Sequence, residues 1–534
     1  MPESWITAPA MLTIATDADM DETPVSIFED SAQPTPEGRI DELVFRRLQQ
    51  LRIQPANLCS DTAFLRRAYL DVIGTLPTAE EASEFLANRE PNRRAALIDR
   101  LLLRNEFADY WAMKWSDLLR IKAEFPINLW PNAAQAYYQW VRTSIAENKP
   151  YDRFVREMMT ANGSNFRDPQ VNFYRAVQNK EPKALAQAVA LTFMGMRTEK
   201  WPDGRLADMA VFFSQIGYKA TGEWKEEIVF FDPDRATVAT ASAHLTSAKI
   251  SDVAATFPDG THVLLRSGKD PREAFADWLV SAKNPWFTKN IVNRIWSWLL
   301  GRGIVHEPDD VREDNPPENP ELLAFLEQEL IAANYDLKHI YRLILNSKTY
   351  QLSSIPRSDN PEGEKHFAHY VLRRLDAEVL IDALCEVTGS GEQYTSAVPE
   401  PYTVMPEDQR SISLPDGSIS SSFLELFGRP PRDTGLESER NNQPTASQRL
   451  HLLNSTHIER KIEQSPKLQE LVRRAKDPGA VVNSLYLTIL SRYPTPEEMK
   501  FVQTYSESGN VNRRQAITDL AWALMNTSEF LYRH

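Results

Sequence analysis

Cysteine is nearly absent from this chain. Cys59 and Cys385 are the only two in 534 residues, too few for a thiolate zinc site or a disulfide framework, and they read either as two free buried thiols or as one bridge. Long apolar runs are missing too. None approaches the ~20 residues of a membrane span, which excludes an integral membrane protein built on helices. Positive charge is in deficit, with 60 Lys and Arg against 74 Asp and Glu and a formal net charge of -14. Counterion release on a phosphate backbone needs clustered cations, so nucleic acid is not expected as a partner. No Walker loop, dinucleotide glycine motif, nucleophile elbow or metalloprotease motif occurs. The opening MPESWITAPAMLTIATDADM lacks a basic start before an apolar core. No signal peptide is read there, and its proline-spaced, acidic character suggests the end of something upstream. Taken alone, it predicts a cytoplasmic protein.

What the chain has is helical periodicity. With 42% hydrophobic and 25% charged residues it has the apolar material to fold, and its length exceeds what one core organises. The organising stretch runs from Asn284 to Tyr350. Residues Ile291 to Leu300 are apolar nearly all round, with one polar stripe of Asn290, Asn293, Arg294 and Ser297, which predicts a helix deep in a core. Gly301 and Gly303 are expected to end it in left-handed backbone. Asn319 should cap the next helix, with Pro320 in its first turn and Leu322, Leu323, Leu326 and Leu330 on its apolar face, and Asp336 should cap a third. A buried Arg294 needs a counter-charge, because leaving it unpaired is strongly destabilising, and the acidic loop that follows offers Asp309 or Asp310.

An internal repeat is legible. Thr78-Ala79-Glu80-Glu81 is a capping box after Pro77, and Thr495-Pro496-Glu497-Glu498 repeats it after Pro494. Tyr69-Leu70 and Tyr486-Leu487 precede the boxes, Asn92-Arg93-Arg94 and Asn512-Arg513-Arg514 follow them, and the copies close at Glu106-Phe107 and Glu529-Phe530. Such recurrence predicts duplicated helical units. The expected fold is mainly α: two helical domains, a small β-containing connector and duplicated helical units. The segments are an irregular start (1–38), a first helical domain (39–220), the connector (221–268), a second helical domain (269–470) with a long irregular insertion (389–442), and a C-terminal unit (471–534) repeating 62–111. In the connector, Glu227 to Phe231 and His262 to Leu265 read as strands and Pro258-Asp259-Gly260 as a turn.

Three constellations carry candidate chemistry. Between Trp111 and Trp140, helically spaced rings read either as core or as an aromatic cleft for sugar or peptide. For the cleft, Trp115, Trp130, Asp117 and Arg120 are the binding candidates, and exposure of Trp130 favours it. Arg373, Arg374, Asp376, Glu378 and Asp382 are read onto one helix, Leu372 to Val387. The four-residue spacing of Arg374, Glu378 and Asp382 suits a salt-bridge network, or a carboxylate acid and base for hydrolysis; these three are the catalytic candidates. The loop after His306 holds Asp309, Asp310, Glu313 and Asp314, oxygen ligands for calcium or magnesium without EF-hand spacing. A structural role, pairing Arg294 with Asp309 or Asp310, is the simpler reading of that loop.

Several long stretches resemble one known family, the planctomycete secreted proteins that pair two domains of unknown function and are often attached to cytochrome c modules. FLRRAYLDVIGTLPT (Phe64 to Thr78), YWAMKWSDLLR (Tyr110 to Arg120) and YDRFVREMM (Tyr151 to Met159) resemble the first domain. The stretch beginning at Asp270, RRLDAEVLIDAL (Arg373 to Leu384) and QRLHLLNS (Gln448 to Ser455) resemble the second. The resemblance implies a periplasmic or secreted protein whose biochemical role is not established. Many members carry a Cys-x-x-Cys-His haem-attachment motif after Phe-x-Gly-x-Arg, and some a Cys-x-Cys before a Glu-Arg step. Here Phe193-Met194-Gly195-Met196-Arg197 runs directly into Thr198-Glu199-Lys200-Trp201-Pro202, and Leu436-Glu437-Ser438-Glu439-Arg440 stands at the second place. No cofactor is therefore expected, and covalent haem c is not. The leading functional reading is a non-catalytic exported module that binds or scaffolds protein partners or polysaccharide in extracellular polymer processing. The alternatives are a hydrolase using the helix or loop carboxylates, and an electron-transfer component with non-covalent haem.

Overall fold

Caps and apolar stripes account for most of the elements. The structure is a computed structural model that describes residues 26–30, 32–202, 204–235, 252–403, 405, 408–474, 477–507 and 511–534. The opening stretch, read above as lacking a signal peptide, lies outside them. Helices dominate from Arg39 to Leu531. The strands are β1 (Gly163–Ser164), β2 (Ile216–Ala220), β3 (Glu227–Phe231), β4 (Val253–Thr256), β5 (His262–Leu265), β6 (Arg373–Arg374) and β7 (Tyr532–Arg533). They form three small antiparallel sheets ordered β1-β3-β2, β4-β5 and β6-β7. The expected connector strands are β3 and β5, and Gly260 turns the β4-β5 hairpin at φ 88°.

The central helix spans Phe287–Leu300 and is buried except at Lys289 and Ser297. Ser297 lies at the edge of the stripe, while Asn290, Asn293 and Arg294 stay inside and each bonds to backbone. Asn293 exchanges two hydrogen bonds with Val305, both 2.9 Å. Asn290 donates to the Thr192 carbonyl at 3.1 Å, and Arg294 to the Thr192 and Leu191 carbonyls at 2.6 and 2.9 Å. Buried polar groups are tolerated on such terms. The stripe thus fastens the helix to the π-turn Ala190–Met194. Gly301 ends the helix at φ 86°. Gly303 corrects the expectation. Its φ is not positive, and its role is space, since a Cβ there would lie 2.3 Å from the Val305 carbonyl oxygen.

The duplicated boxes form with the same geometry. Thr78 accepts from the Glu81 amide at 3.1 Å and its own amide donates to the Glu81 carboxylate at 2.9 Å; for Thr495 and Glu498 the distances are 3.2 and 2.7 Å. Each box glutamate is then clamped to the glutamate closing its unit. Arg104 bridges Glu81 and Glu106 at 2.7 and 2.5 Å, and Arg492 bridges Glu498 and Glu529, both at 2.7 Å. The clamping arginine precedes the closing glutamate in one copy and the box in the other, so the copies conserve the pairing but not the position of the cation.

Arg66 and Arg67, fully buried on the helix Asp61–Val72, join chain regions far apart. Arg66 donates to the Ile489 and Phe530 carbonyls at 2.8 and 2.9 Å. Arg67 donates to those of Tyr350, Leu352 and His534. One further expectation is corrected, and one open alternative is settled. The helix read from Leu372 starts at Ala377, because Arg373 and Arg374 pair with the C-terminal β7 as strand β6. Cys59 and Cys385 are both free, so no bridge joins them.

Candidate functional site

The long insertion threads back through the molecule and brings its arginines to the carboxylates of two helices. Asp117, on the helix Asn105–Leu118, is held by Arg432 at 2.9 Å and Arg440 at 2.6 Å. Arg440 also grips Glu378 at 2.6 Å, with Arg429 3.5 Å away. Asp376 receives Lys114 at 3.0 Å and Arg533 at 2.9 Å. Burial alone would raise these carboxyls. For Asp376 the cations Lys114, Arg533 and Arg440 outweigh it and hold the group well below the usual range, and for Glu378 Arg440 and Arg429 outweigh it and lower the group. Asp382 goes the other way: burial raises it, although the Ser411 and Ile412 amides donate to it at 2.7 and 3.1 Å.

Opposed shifts on neighbouring carboxyls are what an acid and base pair needs, yet both groups are buried. Glu378 is fully buried and Asp382 is 7% exposed. Arg374, the third catalytic candidate, is not on their helix. It donates to the carbonyls of Phe427, Asn441 and Asn442. Arg374, Glu378 and Asp382 therefore sit in three separate bonding sets.

The acidic loop is equally committed. Arg294 pairs with Asp309 at 2.6 Å, and the other Asp309 oxygen accepts from the Glu437 amide at 2.6 Å. Asp310, the alternative partner, instead pairs with Arg312, as does Asp314. Glu313 is exposed. Among the described residues no three His, Cys, Asp or Glu side chains converge as metal ligands, so Asp309, Asp310, Glu313 and Asp314 do not form the proposed cage. Asp309 turns inward to Arg294, Asp310 and Asp314 share Arg312, and Glu313 faces solvent.

The aromatic segment divides. Trp115 is 2% exposed and packs edge-on against Phe154 and Trp298, so it belongs to the core. Trp130 reaches the surface, where it meets two rings that sequence reasoning missed. Trp224 lies 4.8 Å away and Tyr402 5.3 Å away between ring centroids, and these two are 5.3 Å apart. Trp224 is 59% and Tyr402 41% exposed. Lys225 sits over Trp130 at 5.2 Å and over Trp224 at 5.9 Å. The Pro401-Tyr402 and Glu223-Trp224 steps were visible as isolated aromatics in turn-like sequence. No periodicity linked them to Trp130.

A cleft of about 470 Å³ opens where Met196, Arg197, Thr198 and Glu199 face Asp433, Thr434 and Leu436, with Arg120 on its wall. The two stretches at which the resemblance directs attention to cysteines thus meet at one place. Neither Cys nor His lines it, and Cys59 and Cys385 lie beside Arg94 and Lys461 instead. The residues present do not fit a covalently attached haem.

Residues 39–200 match the family described as PSCyt2, protein of unknown function (DUF1549), and residues 271–506 match PSD1, protein of unknown function (DUF1553). No curated protein and no solved structure matches the chain. Among the described residues no helix is long and apolar enough to cross a membrane.

Proposed function

Because the chain belongs to the planctomycete cytochrome-associated family that pairs DUF1549 with DUF1553, whose biochemical role is unknown, we propose a function from its own surface: a non-catalytic module that binds polysaccharide through Trp130, Trp224 and Tyr402. Family membership supports an extracytoplasmic location, where such polymers are met. The observation that carries the reading is the convergence of three rings from three chain segments at the surface, two of them more than 40% exposed. Covering exposed rings with a partner removes apolar surface from water, and sugar faces and aromatic faces stack with little entropic cost because the rings are rigid. With a net charge of -14, neutral glycans suit this surface better than polyanions. Against hydrolysis stand the bonds that occupy Glu378 and Asp382 and their seclusion from solvent.

The test is affinity electrophoresis through gels containing a neutral glucan, xylan or alginate. Retardation by a neutral glycan that falls about tenfold in Trp224→Ala and in Tyr402→Ala, a loss of ~1.4 kcal/mol, with unaltered melting, is the expected outcome. Equal mobility of wild type and variants in every gel rejects the reading.

A further inference from the structure

Buried guanidinium groups in this protein are matched by carboxylates or by several carbonyls. Arg432 and Arg440 hold Asp117, Arg294 holds Asp309, Arg533 holds Asp376, and Arg374 has three carbonyl acceptors. Arg120 departs from this pattern. It is 4% exposed, and its one hydrogen bond is a long one, from Nη1 to the Thr434 carbonyl at 3.3 Å. Among the described residues its Nε and Nη2 have no hydrogen-bond partner. Tyr137 and Glu439 act on it through space, the Phe173 ring lies 5.9 Å away, and the Glu439 carboxylate is itself engaged with the Thr434 amide at 2.7 Å. Burial lowers the Arg120 guanidinium to about 10, which still leaves it cationic at neutral pH.

A buried cation without a counter-ion is strongly unfavourable unless something else supplies the charge. Arg120 borders the 470 Å³ cleft, a volume within the range of small-molecule sites. Ala188, Leu191 and Met196 give the cleft an apolar wall, and Gln187 and Thr198 give it hydrogen-bonding groups. Thr198 is itself 6% exposed, and its hydroxyl has no hydrogen-bond partner among the described residues. Two independent polar groups on one cleft are therefore left open. The other charges at the cleft are spoken for or solvated: Arg197 pairs with Glu307, Asp433 pairs with Lys122, and Glu199 is exposed.

We propose that this cleft binds a small organic carboxylate, with Arg120 supplying the counter-charge, Thr198 a hydrogen bond, and Leu191 and Met196 contact for the apolar body. The charge count favours a monoanion. One unpaired guanidinium neutralises one negative charge, and the exposed Glu199 among the lining residues opposes a second. The site is separate from the aromatic face and does not depend on glycan binding there.

The experiment is a thermal-melt titration of the full chain with sodium benzoate, sodium glucuronate, sodium sulfate and neutral glucose at constant ionic strength set with chloride. A carboxylate that binds only the folded state raises the midpoint in a saturable manner. Benzoate or glucuronate is expected to do so, while sulfate and glucose are not. Arg120→Met, close in shape without the charge, should lose about tenfold or more in apparent carboxylate affinity. It should also melt at or above wild type in carboxylate-free buffer, because the uncompensated charge is gone. Thr198→Val should weaken the carboxylate shift while folding normally, and it localises the site should Arg120→Met not fold. A wild-type midpoint indifferent to both carboxylates, an equal response to sulfate, or an undiminished carboxylate shift in Thr198→Val overturns the proposal.

Discussion

Arg294 and Asp309 meet at 2.6 Å with 0% and 1% of their side chains exposed. Through this contact the central helix, the acidic loop, the turn at Leu191 and Thr192, and the amide of Glu437 are tied together. Removing the carboxylate leaves a buried cation. Asp309→Ala is expected to lower stability by about 3–5 kcal/mol. Asp310→Ala, whose pair with Arg312 is one-fifth exposed on both sides, should cost no more than about 1 kcal/mol. Urea unfolding at neutral pH measures both, and equal losses would refute the assignment of Asp309 as the partner.

Acid stability should follow the node around Asp376 and Glu378. Both carboxyls are held below their unfolded values by cations that outweigh burial. The stability they contribute is complete above the unfolded carboxylate range of about 4, and is lost as pH falls through their folded values. Asp382 and Asp416 have the opposite sign, since burial raises both. Their ionisation costs stability at neutral pH, and that cost is relieved as pH falls towards about 4. The urea midpoint is therefore expected to stay level or rise slightly from pH 7 to about 5 and to drop steeply below about 4. Asp376→Asn should be weaker at neutral pH and show a shallower acid limb. A limb as steep as wild type in that variant would remove Asp376 from the account.

The two thiols should be slow to react in the folded protein. Cys59 is fully buried. Burial pushes the Cys385 thiol up to about 11 even though Lys461 lies 3.4 Å from its sulfur, and the thiolate is the reactive form. With an aromatic disulfide reagent at pH 8, native protein is expected to react over hours and urea-unfolded protein to release two equivalents at once. A rapid single equivalent from native protein contradicts this environment for Cys385.

Much of the candidate site was legible residue by residue and little of it as an arrangement. Asp117, Arg120, Trp130, Glu378 and Asp309 stood out by type, but Trp224, Tyr402, Arg432 and Arg440 did not. The reason is separation. Arg432 meets Asp117 across 315 positions, and its path runs through an insertion with no apolar period to read. Arg374 was placed on the Glu378 helix by its spacing, yet pairing with the distant β7 drew it into a strand.

What the sequence determined by itself was local: the helices, their caps at Thr78, Asn319, Asp336 and Thr495, strands β3 and β5, and the duplication. These depend on interactions within about four residues, and a repeated stretch repeats them. The tertiary structure alone decided which charges meet, choosing Asp309 over Asp310, leaving Arg120 without a counter-ion, and bringing three rings to one face. Those outcomes depend on where remote segments pack, because a buried charge takes whichever partner the packed chain places within reach.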